Sequence, residues 1–173
     1  MADKLLHGQY IITSVADNEN LGVSNIPPIP IFPPPPIPVI VLPDGVLPPR
    51  VILILCVVYQ NLVDLGLVSL RSSRSMEGTT HTLSFSRKGT PAANERVFAV
   101  ENEPAEEWII TYSEPQNAYT IERRGEPLGW TAPPRDEPLP ERQIFLRPLI
   151  VQPSEPPRFL PSQLFRLTPV PRE

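Results

Sequence analysis

At Glu107-Trp-Ile-Ile-Thr-Tyr112, and again at Ala118-Tyr-Thr-Ile-Glu122, the chain passes through short runs of β-branched and aromatic residues. Tyr119-Thr-Ile-Glu122 alternates apolar and polar side chains, and Thr82-Leu-Ser-Phe-Ser86 does the same. A period of two is typical of β-strands that bury one face. These runs therefore predict short, half-buried strands.

Similar runs occur along most of the chain, at residues 9–15, 21–23, 39–42, 96–100, 128–131, 143–146 and 164–168. Between them the sequence is rich in proline, with 26 prolines in 173 residues. Each proline inside a helix would cost about 3 kcal/mol. We therefore expect little helix and an all-β chain whose short strands are joined by stiff loops.

The strand-like runs recur in one order: a Tyr/Leu-x-Ile/Phe run, then an aliphatic run, then a run with a large aromatic residue. The second and third units consist of residues 83–85, 97–100 and 108–110, and of residues 119–121, 144–146 and 165–167. The first unit has residues 10–12 and 39–42 but lacks the aromatic run. Three all-β units of roughly forty to fifty residues predict a β-trefoil. The length suits a single domain over residues 1–173.

Residues 51–76 depart from this repeat. Val51-Ile-Leu-Ile-Leu-Cys-Val-Val-Tyr59 is continuously apolar. A membrane-spanning helix needs ~20 apolar residues, and this segment is interrupted by Gln60, Asn61, Asp64 and Gly66. Two hypotheses remain. Either residues 51–55 are the missing exit strand and 56–75 an insertion, or part of 51–76 is translated intron or a mis-joined exon. Both predict an irregular insertion around residues 51–76.

Composition and motifs exclude several functional classes. The net charge is −4 and no basic stripe is present, so we expect neither nucleic acid nor a membrane as a partner. Cys56 is the one cysteine, and the first residues lack an apolar signal segment, which favours a cytoplasmic location. A monomer is the default expectation. His7 and His81 have no triad or metal-ligand spacing. We expect no enzymatic activity, no metal and no cofactor.

Six short segments, taken in order, resemble a known family: Gln9-Tyr-Ile-Ile-Thr-Ser-Val15, Glu106-Glu-Trp-Ile-Ile110, Ala118-Tyr-Thr-Ile-Glu122, Gly129-Trp130, Arg147-Pro-Leu149 and Leu164-Phe-Arg-Leu167. The chain resembles the mushroom β-trefoil serine protease inhibitors of the cospin and cnispin type over residues 7–45 and 78–170. The resemblance implies a β-trefoil of twelve strands, an intracellular location and tight, reversible inhibition of a trypsin-like serine protease. It also implies a reactive residue either on the loop after the second strand or on the loop that joins the last two strands.

The loop that joins the last two predicted strands contains the first candidate, Arg158. An arginine suits trypsin-like enzymes, whose S1 pocket ends in a carboxylate. A rigid loop also loses less conformational freedom when it binds. Support for this rigidity is expected from Pro156, Pro157, Phe159 and Pro161. The alternative is an ordinary solvated arginine in a proline-rich connection.

The loop after the second strand contains the other candidate, Asn25. This loop includes Ser24-Asn-Ile-Pro-Pro-Ile-Pro-Ile-Phe-Pro-Pro-Pro-Pro-Ile-Pro38. The alternatives are a stiff spacer, or a polyproline II segment that binds SH3-like or WW-like domains, which the absence of flanking basic residues disfavours.

Two other functions on the same fold remain open. Trp108 and Trp130 could stack on a sugar, as in a carbohydrate-binding β-trefoil lectin, although Trp108 is expected in the core. Ricin-type lectins repeat a Gln-x-Trp motif, and here only Gln143-Ile-Phe145 approaches it. Inhibition of a cysteine protease is the other alternative, because fold alone does not decide function.

Overall fold

The computed structural model describes residue 5 and residues 8–24, 35–48, 51–56, 67–76, 79–88, 95–101, 104, 106–136 and 141–171. Within the strands between 51 and 88, it describes side chains at Leu70, Phe85 and Ser86. The strands of these ranges are β1 Gly8–Ser14, β2 Leu21–Val23, β3 Ile37–Val41, β4 Val51–Cys56, β5 Leu67–Met76, β6 Thr79–Lys88, β7 Arg96–Glu101, β8 Glu107–Ser113, β9 Ala118–Arg123, β10 Leu128–Thr131, β11 Arg142–Gln143, β12 Phe145–Pro148, β13 Val151–Gln152, β14 Arg158–Phe159 and β15 Phe165–Pro169. Two short 3-10 turns span Glu114–Gln116 and Pro161–Gln163.

Six of the described strands form a closed antiparallel barrel. Going around it, β1 pairs with β4, β4 with β5, β5 with β8, β8 with β9, β9 with β15, and β15 with β1 again. Because the last strand pairs with the first, the barrel leaves no free strand edge.

Three further strand pairs, β2 with β3, β6 with β7 and β10 with β12, join the barrel. They meet one another because β7 pairs with both β3 and β12. A six-stranded barrel with three hairpins is a β-trefoil, so the predicted fold is confirmed. The predicted twelve strands are these barrel and hairpin strands, and the two-residue strands β11, β13 and β14 are additional.

The structure corrects the expected irregular insertion around residues 51–76. Val51–Cys56 is the exit strand of the first unit, and it pairs along its length with Leu67–Met76. Leu67–Met76 also pairs with β8, so it is the first barrel strand of the second unit. Its serine-rich and arginine-rich sequence lacks a strand pattern, and its neighbours in the sheet impose the conformation. Residues 57–66 lie outside the described residues, and the hypothesis of a mis-joined exon stays a prediction.

This assignment also changes the repeat. Residues 83–85 were expected to correspond to residues 119–121, the first strand of the third unit. They lie instead in the hairpin strand β6, where Phe85 pairs with Ala99 of β7. The predicted equivalence is therefore wrong by one strand.

In the described part of the chain, no helix is long and apolar enough to cross a membrane.

Four buried aromatic rings form the centre of the core. Trp130 contacts Phe85, Trp108 and Phe165, with ring centroids 6.2, 5.3 and 6.2 Å away. The Trp108 indole N–H donates a 3.2 Å hydrogen bond to the Phe85 carbonyl. The buried indole N–H of Trp130 has no partner among the described residues. The two tryptophans therefore share burial but differ in hydrogen bonding.

Trp108→Phe and Trp130→Phe remove the same ring atoms from two fully buried sites. We expect both to lower the free energy of unfolding through the cavity they leave. Trp108→Phe should lower it by about 1 kcal/mol more, because the Phe85 carbonyl loses a donor. Urea unfolding followed by circular dichroism measures the two losses. An equal loss, or a larger one for Trp130→Phe, would contradict the hydrogen-bond difference.

Candidate functional site

Residues 149–164 form the loop between β12 and β15. Within it β13 and β14 pair as a small hairpin, with Gln152 opposite Arg158. The tip is closed by Ser154, whose N–H donates to the Gln152 carbonyl and whose hydroxyl donates to the Pro156 carbonyl, both at 2.8 Å. The Glu155–Pro156 peptide bond is cis. Hydrogen bonds inside the loop thus define the conformation of its tip.

The buried side chain of Gln163 ties the two ends of this loop together. Its Oε1 accepts a 2.9 Å hydrogen bond from the Ile150 N–H. Its Nε2 donates to the Pro148 carbonyl at 2.9 Å and to the Thr131 hydroxyl at 3.2 Å. Gln163 is 1% exposed, and a buried amide without partners would be strongly destabilising. Its three bonds therefore hold the base of the loop in one arrangement.

Backbone contacts from the residues on either side of β10 fix the same base. The Leu149 N–H donates to the Pro127 carbonyl at 3.0 Å, and the Ala132 N–H donates to the Ser162 carbonyl at 2.8 Å. A Cβ atom at Gly129 would lie only 2.5 Å from the Leu149 side chain. Glycine at this position lets Leu149 pack closely against β10.

The outgoing arm of the loop is held at Phe159. The Phe159 N–H donates to Gln116 Oε1 at 2.7 Å, and Gln116 Nε2 donates to the Phe159 carbonyl at 2.9 Å. One amide side chain thus satisfies both backbone groups of the residue that follows Arg158.

Arg158 differs from the other arginines whose side chains the structure describes. Its side chain is exposed and, within the described residues, has no hydrogen bond, ion pair or ring contact. The others each contact an acceptor, a carboxylate or an aromatic ring: Arg96, Arg123, Arg124, Arg135, Arg142, Arg147 and Arg166. Among the described residues, Arg158 is therefore a cation without a side-chain partner, and it lies on an anchored loop.

The predicted support residues all lie on this loop. Pro156 accepts the hydrogen bond that closes the tip, and Pro161 begins the 3-10 turn that carries Gln163. Pro157 is exposed, and Phe159 is held by Gln116. Their role in inhibition stays a prediction.

The sequence did not predict the roles of Gln163 and Gln116. Gln163 beside the apolar Leu164-Phe165 was a weak signal, whereas nothing in the sequence connects Gln116 with Phe159.

Asn25 lies outside the described residues, as do residues 26–34. Ser24, which begins this loop, is bonded to Pro38, at its far end, and to Glu141. The Ser24 N–H donates to the Pro38 carbonyl at 2.9 Å, and its hydroxyl donates to Glu141 Oε1 at 2.6 Å.

The tryptophans do not form a sugar-binding surface. Trp108 and Trp130 are both 0% exposed, so neither ring offers a face to a ligand, and the expected core position of Trp108 is confirmed. Gln143, from the motif that approaches Gln-x-Trp, is buried and donates to the Val97 carbonyl at 3.1 Å. All three side chains are buried inside the protein.

A surface pocket of about 490 Å³ lies beside Asp17, Arg135 and Arg142. Arg142 forms ion pairs with Asp17 and Glu19, and Arg135 pairs with Glu19. These charges neutralise one another and connect the β1–β2 turn to the segment after β10. We assign the cluster a structural role.

Solved structures share this fold. A proteinase inhibitor from Coprinopsis cinerea has a TM-score of 0.66 and 22% identity, covering 96% of this chain and 100% of that one. A ricin B-like lectin from Macrolepiota procera, in complex with lactose, has a TM-score of 0.59 and 17% identity over 96% and 99% of the two chains. Trypsin inhibitor 1 from Senna obtusifolia has a TM-score of 0.60 and 11% identity over 96% and 94%. At these identities the likeness establishes the β-trefoil fold but does not decide between an inhibitor and a lectin.

The comparison with protein families favours the inhibitor. No curated protein sequence matches the chain. The family model described as peptidase inhibitor I66 matches residues 69–169, which is more than half of the chain. The match runs from β5 to the end of β15 and includes the whole of the loop 149–164. The chain therefore belongs to the peptidase inhibitor I66 family.

Proposed function

We propose that the protein inhibits trypsin-like serine proteases and that Arg158 occupies the S1 pocket of the enzyme. The observation that carries this proposal is the Arg158 guanidinium, which has no partner among the described residues and lies on a loop anchored at its base and at Phe159. The alternative reactive residue is Asn25.

The chemistry of Arg158 suits this role. The S1 pocket of trypsin ends in an aspartate, and a charge-assisted hydrogen bond to a carboxylate is about twice as strong as a neutral one. An arginine that already has a carboxylate partner, such as Arg124 with Glu107, would first have to break that contact. Arg158 has no such contact to lose among the described residues.

The anchoring of the loop reduces the free-energy cost of ordering it on binding. Ordering a loop at an interface costs free energy, and each flexible side chain that is immobilised there costs roughly 0.5–1.5 kcal/mol. The bonds of Gln163 to Ile150 and of Gln116 to Phe159 form within the free protein. The protease therefore meets a loop whose backbone needs little further ordering.

Arg158→Ala should abolish stoichiometric inhibition of trypsin and weaken binding at least ~100-fold, because the S1 carboxylate loses its partner. Arg158→Lys should retain inhibition. Titration of trypsin activity with each purified protein measures both effects. Arg124→Ala is the matched control, since it removes an exposed but paired arginine, and should inhibit like the wild type.

Other outcomes of this titration point to other sites or functions. Inhibition retained by Arg158→Ala would reject Arg158 and move the reactive site to Asn25 or another loop. Inhibition of papain in place of trypsin would indicate a cysteine-protease inhibitor. A folded protein that inhibits neither enzyme would direct the search to glycans.

Gln163→Leu tests whether the anchored base matters for inhibition. We expect a loss of about 1–3 kcal/mol in unfolding free energy from the unpaired buried groups. Affinity for trypsin should also fall by ~10-fold, because the loop must then be ordered on binding. Gln143→Leu is the control, since it removes another buried amide, bonded to Val97 away from this loop. It should lower stability without changing affinity, and equal affinity losses would contradict the role of the loop base.

A further inference from the structure

The contact between Gln116 and Phe159 joins two regions that are 43 residues apart in the sequence. It is a two-point contact, in which the amide oxygen accepts from the backbone N–H and the amide nitrogen donates to the backbone carbonyl. Phe159 immediately follows Arg158, so the contact holds the residue on the far side of the bond that a trypsin-like enzyme would cut.

The side chain of Gln116 is itself held in place. It belongs to the 3-10 turn between the barrel strands β8 and β9, whose last pair is Ser113 with Ala118, both buried. The Ser113 hydroxyl donates to Gln116 Oε1 at 3.4 Å. The turn ends at Asn117 in the left-handed region, with φ 46°, and Asn117 Oδ1 accepts a 2.8 Å hydrogen bond from Tyr112. Gln116 is thus mounted on the barrel and not on the loop.

We infer that Gln116 is a positioning residue that makes inhibition persistent, because it keeps the Phe159 side of the Arg158–Phe159 bond in place after that bond is cut. This inference rests on the proposed function. The Arg158 side of the bond is held separately, because Arg158 pairs with Gln152 and Ile150 at the loop base bonds to Gln163. Both halves of a cut loop therefore stay attached to the trefoil by contacts that do not pass through the cut.

The reaction runs in both directions. The protease serine oxygen attacks the Arg158 carbonyl carbon, the bond to the Phe159 nitrogen breaks, and the proton from the serine hydroxyl passes to that nitrogen. The products are an ester of Arg158 with the enzyme and a free amine on Phe159. In the reverse direction the amine attacks the ester, the peptide bond re-forms and the proton returns to the serine oxygen.

Which direction prevails depends on where the amine is. With Phe159 held through its carbonyl and its nitrogen, the amine stays beside the ester, at a high effective concentration. If the amine leaves, water attacks the ester instead, which gives an Arg158 carboxylate and frees the enzyme. Gln116 therefore favours re-formation of the bond over hydrolysis.

Gln116→Leu removes both hydrogen bonds from a partly exposed side chain. Gln116→Glu keeps an acceptor for the Phe159 N–H but loses the donor to the Phe159 carbonyl. Each is incubated with catalytic trypsin, and the recovery of activity and the fragment beginning at Phe159 are followed over time. We expect recovery at least ~10-fold faster for Gln116→Leu than for the wild type, with Gln116→Glu between them.

The matched control is Glu114→Leu. Glu114 is exposed on the same 3-10 turn as Gln116, and its side chain makes no hydrogen bond among the described residues. This variant should resist cleavage like the wild type. A second readout starts from protein already cut after Arg158. Trypsin first forms the serine ester from the Arg158 carboxylate and releases water, and the Phe159 amine then displaces the serine to re-form the peptide bond. Catalytic trypsin should in this way convert part of the cut wild type back to the intact chain, and much less of cut Gln116→Leu.

The outcomes separate the two proposals. A wild type that does not inhibit trypsin through Arg158 overturns the proposed function and this inference together. If the wild type inhibits through Arg158 but Gln116→Leu is cut and re-formed at wild-type rates, the inference about Gln116 alone is overturned.

Discussion

Pairing between the first and last barrel strands closes the trefoil, and the position of the candidate loop depends on it. In this pairing Ser14 lies opposite Phe165, and the Val15 N–H donates to the Leu164 carbonyl at 3.0 Å. Phe165 also packs against Trp130 in the aromatic core. The end of the loop 149–164 therefore cannot move unless the barrel opens and its core is disrupted. A loop that did not lead into a barrel strand would be free to change its position.

Two glutamine side chains extend this constraint from the barrel into the loop. Gln163 acts at the loop base and Gln116 at the arm that follows Arg158. An amide group suits the task because it both donates and accepts. A buried polar group that loses its partner is costly, so such contacts favour one arrangement of the chain. The prolines of the loop restrict its backbone, while the glutamines determine where it lies relative to the trefoil.

Sequence pattern predicted the all-β class, the trefoil and most of the strands, because alternation and proline content are local properties. It failed at Leu67–Met76, where pairing on both sides imposes a strand on a sequence with no strand pattern. For the candidate site, the loop and the cationic Arg158 were predicted from residue types and from the family resemblance. Gln116 was not, because its contact with Phe159 arises only when the turn between β8 and β9 comes to lie beside the loop. Spacing along the chain carries no information about such a contact.

The most direct measurement is a crystal structure of the protein bound to trypsin. We expect the Arg158 guanidinium at the carboxylate of the S1 pocket, with the contacts from Gln116 to Phe159 and from Gln163 to Ile150 unchanged from the free protein. A different residue in the S1 pocket would contradict the assignment of Arg158. Arg158 in the pocket with those contacts broken would contradict the claim that the loop is formed before the protease binds.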